Sequence, residues 1–164
     1  MLKKFDKQFL FEVHLNRISK KSGLLHVKDS DGMIRVATAR EPGGEKGDWC
    51  PEELFLASVC SSYMTNYIAQ SEKIGFEISG FECSVIGHAE SVDGKLRFTQ
   101  IDIYPQIFIA FEGMREKANS ADKHTRKNCT ICNSINAKTI YHTQLFVGNS
   151  NGTMVQDEKK EIII

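Results

Sequence analysis

The stretch from Cys50 to Gly75 constrains the fold most. Cys50 stands at an N-cap position, Pro51 suits the first helical residue, and Glu52 and Glu53 put negative charge where a helix dipole favours it. The pattern predicts a helix to about Ile74, closed by Gly75. Its interior is rich in small residues, Ala57, Ser58, Cys60, Ser61 and Ser62, which let another element approach closely. Such a helix is central and buried, and Leu56, Ala57, Cys60, Met64 and Tyr67 read as its apolar stripe.

Around it the chain reads as strands. Phe9, Phe11, Val13 and Leu15 alternate with Leu10, Glu12, His14 and Asn16, the period of a strand with one apolar face. Residues 24–28 and 33–39 flank an Asp-Gly turn at Asp31-Gly32, giving a three-stranded meander. Residues 40–49, with Pro42 and three glycines, form a loop. A second long hairpin spans 81–91 and 96–110 around Asp93-Gly94, with Pro105 marking an edge or a bulge. A polar helix from about Gly113 to Lys127 leads into a cysteine-bearing segment, and 139–147 is the last strand. Strand runs broken by helices give an α+β class, antiparallel sheets around a long central helix. We expect a single domain over 1–147 with a loosely attached tail over 148–164.

Lys plus Arg number 21 and Asp plus Glu 21, so no net field draws the 164-residue chain toward phosphate backbones or anionic lipid. No apolar run approaches the ~20 residues of a membrane span, and Met1 to Asp6 lacks the apolar region of a signal peptide. These features predict a cytoplasmic protein without nucleic-acid or membrane partners. Five cysteines, an odd number in a chain that needs no staples, read as thiols.

A thiol reacts as thiolate, so its surroundings decide its use. Cys50 is a reactive N-cap thiol or a stand-in for a capping serine. Cys60 is core filler or a reactive helix thiol, and Cys83, alternating with Phe81 and Val85, is core. Cys129 and Cys132 form a C-x-x-C. Zinc would need two further ligands gathered from His124, His142 or Cys83, and a thioredoxin-type pair would follow a strand, so neither reading has local support. No cofactor or metal is expected, and G-x-S-x-G, Walker and G-x-G-x-x-G motifs are missing.

Taken together, residues 50–64, running Cys-Pro-Glu-Glu-Leu-Phe-Leu-Ala-Ser-Val-Cys-Ser-Ser-Tyr-Met, and 129–135, Cys-Thr-Ile-Cys-Asn-Ser-Ile, resemble the two signature segments of the OsmC/Ohr family of osmotically inducible and organic hydroperoxide resistance proteins. The resemblance covers roughly residues 9 to 147. It implies an OsmC-like fold, an intertwined homodimer with central helices at its heart, and thiol-dependent organic hydroperoxide reduction in oxidative-stress defence. In that chemistry a peroxidatic cysteine becomes a sulfenic acid, a second cysteine condenses with it, and a dithiol reduces the disulfide.

Carried over by position, Cys129 matches the second cysteine, while Cys132 falls where the family usually has serine. Glu52 matches the glutamate that orients an arginine toward the thiolate, with Arg17 as the candidate and Arg35 and Arg40 as rivals. Counting from Pro51 without gaps puts the peroxidatic position at Ser62. Cys60, two residues earlier, is turned from it by about 200° on a helix. The possibilities are a helix irregularity that brings Cys60 in, a local cycle of Cys129 with Cys132, or an altered member that holds a small apolar ligand at the dimer interface without turnover. Hydrolysis with Ser62 as nucleophile has no histidine near it in sequence to support it.

Overall fold

The computed structural model describes residues 9–28, 30–38 and 48–148. Arg40, most of the loop over 40–49 and the tail beyond Gly148 lie outside them. The chain divides into two compact units, 1–54 and 55–164.

The first unit holds an antiparallel sheet of β1 (His14–Arg17), β2 (Ser22–His26) and β3 (Met33–Ala37), in that order. The predicted meander is present, but its first strand starts later than the alternation suggested. Residues 9–13 precede β1, and Leu10 and Phe11 are 85% and 92% exposed. Trp49 bridges in parallel to Val36 and exchanges backbone hydrogen bonds with Arg35 and Ala37.

Helix α1 (Pro51–Ile74) has the predicted limits. At its start Cys50 plays the part of a capping serine: the Glu53 N–H donates to Cys50 Sγ at 3.4 Å, and Glu53 Oε2 accepts from the Cys50 N–H at 3.0 Å. At its end the Gly75 N–H donates to Glu72 O and the Phe76 N–H to Ser71 O, the paired bonds of a Schellman motif, with Gly75 at φ 79°. The fully buried line along α1 is Val59, Tyr63, Tyr67 and Ser71, spaced by four residues. The predicted stripe was rotated from this line, since Met64 is exposed and Cys60 half-buried.

The second unit is built on the hairpin of β4 (Gly80–Val92) and β5 (Lys95–Ile109). Its turn is Asp93-Gly94, both at positive φ, which is the two-residue turn whose twist suits a hairpin. The register shifts between His88 and Ala89. Ile101, Ile103, Ile107 and Ile109 of β5 are fully buried with Val59, Tyr63 and Tyr67 in one core. Each such aliphatic side chain contributes about 1.5–3 kcal/mol through burial.

The predicted last strand is two strands, β6 (Lys138–Tyr141) and β7 (Gln144–Val147), both parallel to β5. β6 pairs with residues 100–103 and β7 with 106–109. Pro105, which cannot donate to a ladder, falls in the gap between them. That placement lets a proline sit inside a strand flanked on both sides. Helix α2 (Arg115–Asn128) follows a 3₁₀ turn at Glu112–Met114, and a second 3₁₀ turn spans Cys132–Ser134. Among the described residues no helix is long and apolar enough to cross a membrane.

Candidate active site around Cys129

Helix α2 ends at Cys129, whose N–H still reaches Thr125 O at 2.9 Å while its backbone has turned extended. The chain then closes a tight turn: the Asn133 N–H donates to Cys129 O at 2.9 Å, and the Ser134 hydroxyl donates to Thr130 O at 2.8 Å. This turn brings Cys132 back over Cys129, and the two form a disulfide with Cα atoms 5.3 Å apart. Cys129 is 0% exposed and Cys132 8%.

Two donors reach the Cys129 sulfur. The Cys132 N–H lies 3.3 Å from it, and Ser62 Oγ, from the middle of α1, lies 3.4 Å away. A disulfide sulfur carries no hydrogen, so the Ser62 hydroxyl is the donor. One turn further along α1, Asn66 Nδ2 donates to Ser62 O at 2.8 Å and to Ser62 Oγ at 3.4 Å. Sequence reading did not single out Asn66, although its position four residues after Ser62 puts it on the same helix face.

The end of α2 is held by a buried polar cluster. Tyr63 donates its hydroxyl hydrogen to Asp122, Thr143 donates to Asp122 Oδ1 at 3.1 Å, and Arg126 pairs with Asp122 at 2.6 Å. Burial first, then the Asp122 charge, pushes the Tyr63 hydroxyl far above the usual tyrosine range. For Arg126 burial acts downward, but Asp122 outweighs it and holds the guanidinium firmly charged. That guanidinium also donates to Thr143 and stands over the Tyr141 ring at 4.8 Å. The cluster ties the residue after Ser62 to the turn of α2 before Cys129.

The remaining predicted site residues fall in both units, Cys60 in the second and Arg17, Arg35 and Glu52 in the first. Helix α1 is continuous through residue 60, so Cys60 is not swung toward Ser62. Its thiol donates to Cys83 O on β4 at 3.2 Å. Burial, and next the Cys60 thiol beside it, push the Cys83 thiol well up, as suits inert core sulfur. Arg17 spends its guanidinium on its own turn, donating to Ser19 O at 2.7 Å and Lys20 O at 3.3 Å. Arg35 pairs with Asp48, and Glu52 is exposed in the first turn of α1. Arg17, Arg35 and Glu52 belong to the first unit, and Cys129 to the second. Among the described residues no group of three or more His, Cys, Asp or Glu side chains is arranged to hold a metal.

A second cluster, with no signal in the sequence, centres on Asp102 of β5. His88 Nε2 and His142 Nε2 each donate to its carboxylate at 2.8 Å, and Gln100 Nε2 does so at 2.7 Å. Burial acts to raise its pKa, but the three donors outweigh burial and hold it below the usual carboxylate range. The His142 ring also stacks on Tyr104, with centroids 4.4 Å apart.

A family model described as OsmC-like protein matches residues 43–143. The chain belongs to this family. No curated protein matches it in sequence. Among solved structures, an OsmC-like protein of Vibrio cholerae is 15% identical with a TM-score of 0.74, covering 84% of this chain and 100% of its own. An OsmC-like protein of Mycoplasma pneumoniae is also 15% identical, with a TM-score of 0.72 and coverage of 88% and 100%. An organic hydroperoxide resistance protein OsmC of Legionella pneumophila is 16% identical, with a TM-score of 0.63 and coverage of 84% and 98%. At these identities the likeness shows the shared α+β fold.

Proposed function

We propose that the protein is a thiol-dependent organic hydroperoxide reductase whose working pair is Cys129 and Cys132. The observation that carries this reading is the disulfide between those two cysteines, closed inside an OsmC-like fold at the position where Ser62 meets Cys129. Serine cannot cycle between thiol and disulfide, so the second sulfur has to come from the C-x-x-C itself. In the reduced pair, one sulfur attacks as thiolate on the terminal oxygen of ROOH. The O–O bond breaks, the alkoxide takes a proton and leaves as ROH, and the sulfur keeps the hydroxyl as sulfenic acid. The second thiol then displaces that hydroxyl, its proton leaves in water, and the disulfide forms. A dithiol reductant restores the pair and is itself oxidised.

The cycle needs a reducing compartment, in keeping with a cytoplasmic setting. The exposed apolar residues before β1 support a homodimer in which a second copy covers them.

The test is peptide mass spectrometry of fully reduced protein before and after one equivalent of cumene hydroperoxide, with remaining thiols alkylated. Loss of two hydrogens, mapped to Cys129 with Cys132, is the expected result. Five alkylated thiols after peroxide would end this reading and leave an altered member that binds an apolar ligand without turnover.

A further inference from the structure

We propose that Cys129 is the sulfur that attacks and Cys132 the one that closes the disulfide, with Ser62 and Asn66 as positioning residues for the Cys129 thiolate. The peroxide step of this assignment rests on the proposed function. It gives residue 129 the attacking role, where the family resemblance gives it the second one.

The two sulfurs differ in what reaches them. Cys129 Sγ receives the Cys132 N–H at 3.3 Å and the Ser62 hydroxyl at 3.4 Å, whereas among the described residues no donor reaches Cys132 Sγ. The Ser62 hydrogen is aimed by its neighbour: Asn66 Nδ2 donates to the Ser62 oxygen, occupying a lone pair, and the hydroxyl hydrogen is left for sulfur. Donors to the charged form favour it, so on reduction Cys129 is the pair's thiolate and Cys132 stays protonated. Exposure does not reverse the order. Cys129 at 0% and Cys132 at 8% both need a local opening to meet peroxide, and thiolate population then separates them.

The Cys129 thiolate thus attacks ROOH, giving Cys129 sulfenic acid and, with one proton, ROH. The Cys132 thiol next condenses with that sulfenic acid, forming the S–S bond and water. Ser62 and Asn66 hold no electrons in this sequence. Their part is to hold a hydrogen-bond donor on the Cys129 sulfur, and a serine hydroxyl does that without competing for the disulfide.

Two experiments test the assignment. Reduced Cys132→Ser protein, given one equivalent of cumene hydroperoxide and dimedone, is expected to carry the sulfenic-acid adduct on Cys129. The Cys129→Ser protein is expected to carry none. Without altering either cysteine, the rate of iodoacetamide alkylation against pH, read peptide by peptide on reduced protein, should give Cys129 the lower midpoint. Ser62→Ala should raise that midpoint and slow Cys129 alkylation at pH 7 about tenfold, and Ser62→Thr should restore it. An adduct on Cys132 in the Cys129→Ser protein, with the wild type still pairing its cysteines, would overturn the role assignment and leave the proposed function standing. A wild type that keeps all its thiols would remove the proposed function. The alkylation profile would still decide which sulfur is the thiolate, and a lower midpoint at Cys132 would overturn the assignment there.

Discussion

Asp102 is 5% exposed and surrounded by donors from three places in the chain, His88, Gln100 and His142. Because its folded pKa is depressed, its contribution to stability is fully present above the unfolded value of about 3.9 and is lost as pH falls through the folded value. Asp102→Asn should lower the unfolding free energy by about 1–3 kcal/mol at pH 7. In urea titrations the gap to wild type should narrow below about pH 4. A gap that is constant between pH 7 and pH 3 would refute this account. Nothing in the sequence announced the cluster, since His88 and His142 lie 14 and 40 residues from Asp102 and each looks ordinary alone. The Ser62 and Cys129 encounter was legible only through the family resemblance, which matched both positions; the unbroken helix from Pro51 keeps the ungapped count to residue 62 valid. Asn66 could have been found from the same helix, since its spacing from Ser62 is one turn. The Cys60 thiol donates to Cys83 O and neither sulfur joins the disulfide, so replacing either with Ala should spare peroxide-driven pairing of Cys129 with Cys132, as the same mass measurement would show.

At the scale of elements, the two ends of α1 make separate predictions. Nothing lies within 4 Å of a side chain added at Gly75, so Gly75→Ala meets only the backbone cost of a left-handed residue, about 1–2 kcal/mol in chemical denaturation. Cys50→Ala should cost about 1 kcal/mol by removing the sulfur that caps Glu53, and Cys50→Ser should cost much less. Equal losses for the two Cys50 substitutions would argue against the cap. These ends, and the Asp93-Gly94 turn, were readable because each rests on local backbone chemistry. The strand boundaries were less so. Alternation over residues 9–16 shows which side chains are apolar, yet only pairing decides where a ladder begins, and β1 begins at His14. The split into β6 and β7 depends on Pro105, thirty or more residues away, whose missing donor is accommodated only where no partner needs it.

For the molecule as a whole, Phe9, Leu10, Phe11 and Val13 ahead of β1 make a run of exposed apolar side chains among the described residues. Sedimentation of the reduced protein should give twice the chain mass of 18.5 kDa, and a mass of one chain at micromolar concentration would refute the dimer. Reducing Cys129–Cys132 should lower stability by about 2 kcal/mol, modest because the bridge closes a very short loop. The order of sheet assembly has a consequence for a chain made from its N-terminus. The β4–β5 hairpin closes through a two-residue turn and can form early, whereas β6 and β7 must return to β5 across α2. Cys129 and Cys132 leave the ribosome between these events, before the strands that help enclose them. Newly made protein therefore passes through an interval in which the pair is open to any oxidant at hand, and its redox state is set by the compartment before the fold can protect it.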